Sequence, residues 1–341
     1  MRVLFVCNAG PEVGGGHVMR SLTLARALEA RGVTVSFLCP PAVTAVLEAF
    51  APDIHRVWAA TTEGPRIVAA VRTAGADLVV FDHYGLDADD HRAAAAGARP
   101  VLVIDDLADR PLGADLVLDS GPAREPADYV GLLPAHAELL LGPAHAPVRP
   151  EFAALRPAAL ARRTAGTPPR RLLVSLGLGD HGGVTGRVLE LLLPMTGDLA
   201  IDVVMGAAGP SLSKVQALAL VYPQLTLHID SRDMAALTAA ADLAVGGGGS
   251  SSWERCVLAL PTLQLILADN QRPAARALES VGAVMALEVG AAGFAGLFEE
   301  DLARLLADDR LRTGMALAAT DVCDGDGARR VAEAVLRLLG G

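Results

Sequence analysis

Short apolar runs recur along the chain, separated by longer stretches whose apolar residues return at helical spacing. Strands are predicted at 3–7, 33–38, 77–82, 101–105 and 116–118, with helices between them such as 18–31 and 65–74. A polar, proline-marked stretch at 162–169 then reads as a linker. A second alternation follows, with strands at 171–177, 201–205, 225–229, 242–246 and 262–267. The last segment, 328–339, is an amphipathic helix after Asp324-Gly325-Asp326-Gly327. Strands alternating with helices imply parallel sheets, so the expected architecture is α/β. Two Rossmann-like, doubly wound domains are expected to face each other across a cleft that holds a ligand. Their boundaries are placed at 1–160 and 170–325, with the helix at 327–341 packing back on the N-terminal domain.

Composition fits this picture. The 341 residues are 52% hydrophobic and 20% charged, enough apolar surface for two cores. The formal net charge of −10 argues against a nucleic-acid surface and against a broad basic face for anionic lipid. Cys7, Cys39, Cys256 and Cys323 are far apart and form no C-x-x-C pair, so neither zinc nor disulfides are expected. Arg2 leads straight into a short strand, which is not a secretory leader, and no apolar run reaches membrane-spanning length. A monomer in a reducing cytoplasm is the expectation, with no cofactor, no metal and no stable membrane association.

Gly14-Gly15-Gly16-His17-Val18-Met19-Arg20 follows the first strand and opens a helix. Glycines at such a turn let a ligand approach the backbone, because no Cβ intervenes. The positive end of a helix disfavours imidazolium, which suits His17 as a neutral general base. The spacing is neither the dinucleotide fingerprint nor a P-loop. The plain structural alternative is a glycine-rich first turn with a histidine at a helix start.

The second half carries Gly246-Gly247-Gly248-Gly249-Ser250-Ser251-Ser252-Trp253-Glu254, also between a strand and a helix. Free N–H groups and hydroxyls there suit a diphosphate. Glu254 lies one turn in, where a carboxylate accepts hydrogen bonds from a ribose diol, or where it merely stabilises the helix start. Gly177-Leu178-Gly179-Asp180 and Asp269-Asn270-Gln271 fall at the same carboxyl edge of the predicted sheet. Asn270 reads either as a sugar contact or as a helix cap. In the first half, Asp82-His83-Tyr84-Gly85 and Asp105-Asp106 end adjacent strands. Paired carboxylates are compatible with Mg²⁺, but solvated loop acids are commoner.

Taken in order, Val13-Gly14-x-Gly16-His17-x-x-Arg20, Asp82-His83-Tyr84, Arg149-x-Glu151-Phe152, Gly248-Gly249-Ser250-x-x-Trp253-Glu254 and Asn270-Gln271 resemble the UDP-sugar hydrolases of the pseudaminic acid pathway. Those enzymes cleave UDP-2,4-diacetamido-2,4,6-trideoxy-β-L-altropyranose. The second half also resembles the nucleotide-binding half of the lipid-intermediate N-acetylglucosaminyltransferases of peptidoglycan synthesis. The resemblance implies a GT-B fold and a metal-independent, inverting attack of water on the anomeric carbon. It implies His17 as base, with Tyr84 and Asn270 against the sugar or the water. Glu254 would hold the ribose, the backbone at Met234 would read uracil, and Ser250, Ser251 and Ser252 with Gly248 and Gly249 would hold the diphosphate. Gly14, Gly16, Arg20, Asp82, His83, Gly177, Gly179, Asp180 and Gln271 complete the implied substrate contacts. The released sugar would feed synthesis of a nonulosonic acid for flagellin or surface polysaccharide. Asn8, Leu178 and His145 depart from the family pattern, and they bear on substrate identity rather than on reaction type. A GT-B glycosyltransferase with a UDP-N-acetylamino sugar donor is the main alternative; a binding module and a hydrolysing 2-epimerase are the others.

Overall fold

The computed structural model describes residues 1–10, 14–61, 65–96 and 99–340. Val13, the first residue of the glycine-loop motif, lies outside them. In chain order the first stretch holds β1 (Arg2–Cys7), α1 (Gly16–Glu29), β2 (Thr34–Cys39), α2 (Pro41–Phe50), β3 (Arg56–Trp58), α3 (Pro65–Ala74), β4 (Leu78–Asp82), α4 (Ala88–Ala95), β5 (Val101–Ile104), β6 (Leu116–Asp119) and β7 (Glu138–Leu141). The next holds α5 (Pro150–Arg163), β8 (Arg171–Ser175), α6 (Val184–Leu192), β9 (Ala200–Met205), α7 (Leu212–Val221), β10 (Leu225–Ile229), α8 (Met234–Ala240) and β11 (Leu243–Gly247). It continues through α9 (Ser251–Val257), β12 (Thr262–Ile266), α10 (Arg272–Ser280), β13 (Met285–Glu288), α11 (Phe294–Ala307) and α12 (Asp309–Val322), and α13 (Gly327–Gly340) closes the chain.

Two compact units result, 1–148 with 326–341, and 149–325. The first sheet has strand order β3-β2-β1-β4-β5-β6-β7, and its paired strands are parallel. The second has order β10-β9-β8-β11-β12-β13, again parallel. In both, the order reverses beside the first strand of the unit, the doubly wound arrangement that puts ligands at carboxyl strand ends. Central strands such as Leu78–Asp82 are buried along their whole length, which is why they read as unbroken apolar runs.

In the first unit, one face of the sheet is covered by α1, α2 and α13 through Leu24, Leu28, Leu47, Val331 and Val335. The other face carries Ile67, Val71 and Ala94 of α3 and α4. The capping box of Asp87 and Asp90 fixes the start of α4. In the second unit the larger core lies under α6, α7 and α11.

Two sequence expectations need correction. Helix α5 belongs to the second unit, so the unit boundary falls at 148/149 and not near 160. The segment 162–169 is no free linker at its start. Arg163 is buried and donates to the carbonyls of Leu258, Thr238 and Ala241. Strands β3, β7 and β13 had no counterpart in the sequence reading. They are short edge strands, only partly buried, so their apolar runs are broken where those of the equally short but fully buried β5 and β6 are not.

Candidate functional site

The first unit gathers its polar residues at the carboxyl ends of β1, β4 and β5. Residues His17, Arg20 and Ser21 are spaced i, i+3, i+4, so they share one face of α1. That face looks onto Asp82 at the end of β4, because β4 pairs with β1 and sets Asp82 beside Cys7. Asp82 is fully buried. Its Oδ2 accepts from Arg20 Nε at 2.8 Å and from Ser21 Oγ at 3.0 Å. Its Oδ1 accepts from Arg20 NH2 at 2.6 Å and contacts His17 Nδ1. Burial pushes the Asp82 carboxyl up, but the charge of Arg20 and the hydrogen bonds from Arg20 and His17 outweigh it and hold the group well below the usual carboxylate range.

A carboxylate at Nδ1 fixes the tautomer of His17. The Nδ1 proton goes to Asp82, and Nε2 keeps the lone pair a base needs. Arg20 NH2 lies 3.1 Å from the same Nδ1 and gives its proton to Asp82 instead. The Tyr84 ring meets His17 edge-on, with centroids 4.5 Å apart and planes at 85°.

Arg20 also donates from NH1 to Asp106 Oδ2 at 2.9 Å, and Tyr84 donates its hydroxyl to Asp106 Oδ1 at 2.7 Å. Burial raises the Asp106 carboxyl, yet Arg20 and the Tyr84 hydrogen bond bring it below its ordinary value. Burial and then Asp106 push the Tyr84 phenol far above its ordinary value, so it stays a donor.

Beneath this lies a second buried layer. Tyr129 bridges Asp105 and Asp119, at 3.0 and 2.9 Å. Arg110 pairs with Asp105, and Arg124 pairs with Asp119. Arg110 further donates to the carbonyls of Leu86 and His83, and Arg124 to that of Asp106. These bonds tie the loops after β4, β5 and β6 together.

Several sequence-predicted contacts take other work here. Asp82 and Arg20, read as substrate contacts, are spent on each other and on His17. His83 is buried and its Nδ1 accepts from the Gly85 N–H at 3.0 Å, so its ring is turned into its own loop. Gly14 has φ +74° and closes the loop through a bond from its N–H to Gly10 at 2.7 Å, while Gly16 is exposed.

In the second unit the predicted residues again line carboxyl strand ends. After β8, Gly177 takes φ +98°, a conformation suited to glycine. Asp180, expected at the substrate, is buried and accepts from Thr185 N and Ser211 N, both at 2.8 Å, and from Ser211 Oγ. It braces the loop instead of facing solvent. Gly179 has no heavy atom within 4 Å of where a Cβ would sit. Met234 is the first residue of α8 and is half-buried.

The four-glycine run has internal reasons the sequence did not reveal. A Cβ on Gly246 would meet the Arg255 guanidinium at 2.6 Å, and one on Gly248 would meet Gln271 at 3.0 Å. Only Gly249 opens to empty space and is exposed. Ser252, expected to bind phosphate, is buried and donates to Gln264 Oε1 at 3.1 Å. Ser250 and Ser251 are half-buried at the loop end. Helix α9 has seven residues, so its field is small and it is a weaker anion anchor than the sequence suggested.

Glu254 accepts from Arg149 Nε at 3.0 Å and NH2 at 2.8 Å, both on Oε1, while Oε2 takes no bond from the described residues. Arg149 in turn stacks on the Phe152 ring at 5.0 Å. Asn270 is exposed in the turn before α10, and Gln271 Oε1 accepts from Leu267 N at 3.0 Å.

No protein-family model matches the chain. The chain is similar, at 23% identity over 237 residues, to the UDP-2,4-diacetamido-2,4,6-trideoxy-beta-L-altropyranose hydrolase of Campylobacter jejuni, covering 70% of this chain and 81% of that one. It is 29% identical over 348 residues to the UDP-N-acetylglucosamine–N-acetylmuramyl-(pentapeptide) pyrophosphoryl-undecaprenol N-acetylglucosamine transferase of Xylella fastidiosa, covering 94% and 93%. Among solved structures, MurG of Acinetobacter baumannii superposes with a TM-score of 0.65 at 19% identity, covering 98% of this chain and 99% of that one. The fold is GT-B.

The sequence reading gave four participants other roles or none. Asp106 was weighed only as a loop acid or metal ligand, Ser21 not at all, and Arg255 with Gln264 had no assigned part. The i, i+3, i+4 spacing of His17, Arg20 and Ser21 was the available signal for the first group. Ser251 and Ser252 stand at i−4 and i−3 from Arg255, a helical spacing that was legible, whereas nothing local marks Gln264, which reaches Arg255 from β12.

Proposed function

We propose that the protein is a nucleotide-sugar hydrolase that releases UDP from a 2,4-diacetamido-2,4,6-trideoxyhexose by inverting attack of water, in nonulosonic acid synthesis. The observation that carries the reading is the His17–Asp82 pair. A buried carboxylate sets the tautomer of a histidine that follows a glycine loop at a carboxyl strand end, in a fold shared with UDP-sugar enzymes.

In this reading His17 Nε2 takes a proton from water as the water oxygen bonds to the anomeric carbon and the bond to the diphosphate breaks. Asp82 stabilises the imidazolium that forms. UDP leaves as an anion and needs no general acid, so one base suffices. Arg20 and Asp106 position the pair, and Tyr84 bounds the ring edge of His17. Glu254 offers its Oε2 to the ribose diol. The relative from Campylobacter jejuni supports this substrate class.

The second reading is a glycosyltransferase that passes the sugar from UDP to an acceptor. Similarity to the Xylella fastidiosa transferase over most of both chains favours it. Product analysis separates the two: UDP-diacetamido sugars are supplied with no acceptor, and UDP release is followed with the sugar anomer read by NMR. Sustained turnover to free sugar supports the hydrolase; a stall without acceptor supports the transferase. His17→Asn should lower turnover by roughly 10²–10⁴, the range for a general base, with UDP affinity retained.

A further inference from the structure

Resting on the reading that the second unit holds UDP, we propose that Arg255 is the buried cation of the diphosphate subsite, a positioning residue that acts through Ser251. Arg255 is 4% exposed and no carboxylate pairs with it among the described residues. Its neighbour Glu254 is engaged by Arg149. Burial lowers the guanidinium to about 10, so it remains charged at neutral pH.

A buried charge without a partner costs several kcal/mol. The other buried arginines of this unit reduce that penalty at helix C-termini, although Arg163 Nε also lacks a hydrogen-bond partner among the described residues. Arg163 donates to carbonyls at the carboxyl end of α8, and Arg312 to Leu305 and Leu306 at the end of α11, where helix carbonyls carry partial negative charge. Arg255 sits in the middle of a two-turn helix and reaches back toward its start. There the helix field opposes a cation.

Its contacts point to an anion above the loop. The guanidinium lies directly under Gly246. Arg255 Nη2 donates to the Gly247 carbonyl at 2.6 Å and, more weakly, to Ser252 Oγ at 3.2 Å and Gln264 Oε1 at 3.4 Å, and Nη1 donates to Ser251 Oγ at 3.0 Å; all four acceptors are neutral. Because Ser251 Oγ accepts there, its own proton is left to donate outward. Arg255 Nε and Gln264 Nε2 are both buried and without a hydrogen-bond partner among the described residues. The buried cluster under the loop therefore holds two unbonded donors and a positive charge, and Gly249 of the same loop opens to space. A diphosphate seated on Gly249 and Ser251 would neutralise this charge without touching Arg255. The same charge would favour departure of UDP from the sugar.

The test uses the full chain and calorimetry with UDP, uridine, dTDP and inorganic pyrophosphate. In Arg255→Met, UDP and pyrophosphate affinity should fall at least about tenfold, the size of a charge-assisted contact, while uridine affinity stays unchanged. The ligand-free variant should stay folded by circular dichroism, since removal of a buried charge offsets the lost bonds to Gly247, Ser252 and Gln264, and Arg255→Lys should restore part of the UDP affinity. Ser251→Ala, on the loop surface, should show the same loss of diphosphate over uridine even if Arg255→Met folds poorly. Equal UDP affinity in both variants overturns the inference and leaves the UDP reading intact. Parallel loss of UDP and uridine with a lower melting temperature also overturns it, because Arg255 is then only a brace. Arg255-dependent binding of dTDP or pyrophosphate with no binding of UDP upholds the inference and overturns the uridine reading. Failure of the native protein to bind any of these ligands overturns both.

Discussion

The residues beside the two glycine loops treat buried charge in opposite ways. In the first, Asp82, Arg20 and Asp106 are paired with one another, and His17 is fixed by the same network. In the second, the charge under the glycine loop has hydroxyls, a carbonyl and an amide oxygen as partners but no carboxylate among the described residues. A site that moves a proton needs its charges arranged before the substrate arrives, and a closed network provides that preorganisation. A site that recognises an anion needs positive potential left over, and an unpaired guanidinium provides it. The first unit is therefore read as the proton-transfer half and the second as the anion-binding half.

Asp82→Asn breaks the first half most directly. The amide keeps the shape but presents a donor or a weak acceptor to Nδ1, so the tautomer of His17 is no longer enforced. Turnover should fall by about 10³ or more, with UDP affinity unchanged, and circular dichroism should show a folded protein. Near-normal turnover in this variant would remove Asp82 from the mechanism.

Asp180→Ala sharpens the second half by separating bracing from binding. It removes the acceptor of two backbone N–H groups and a hydroxyl, so unfolding free energy in urea should drop by roughly 2–4 kcal/mol. UDP affinity measured well below the melting temperature should change little. Intact stability with lost affinity would return Asp180 to the ligand.

The smallest effect concerns acid. His91 is buried against Phe81, and burial, then Arg110, lowers it to about 3. Its folded value lies below its unfolded value of about 6.5, so the stability it allows is present above that pH and is lost as pH falls toward 3. Asp82 and Asp106 are likewise depressed, so their contribution is lost only below about 4, the ordinary carboxylate value. His91→Gln should therefore flatten the decline between pH 6.5 and 4.5 by about 2 kcal/mol, read from denaturant melts at several pH values. An unchanged slope would show that His91 takes up a proton in the folded protein.

The sequence by itself determined what depends on near neighbours. Runs such as Leu-Val-Val-Phe ending at Phe81 marked central strands, because both faces of a parallel sheet are covered and neither needs polar residues. Glycines before Gly16 and after Val245 marked the loops at strand ends, and helical spacing put His17, Arg20 and Ser21 on one face. Those features are set by backbone geometry within a few residues. Tertiary structure alone decided which polar groups meet. Asp82 reaches His17 because β4 lies beside β1, and Arg149 reaches Glu254 across 105 positions of sequence. It also decided that Asp180 and Ser252 turn inward and that Arg255 meets neutral acceptors and no carboxylate among the described residues. A hydrogen bond is specified by position in space, and no periodicity along the chain encodes the strand order that creates it.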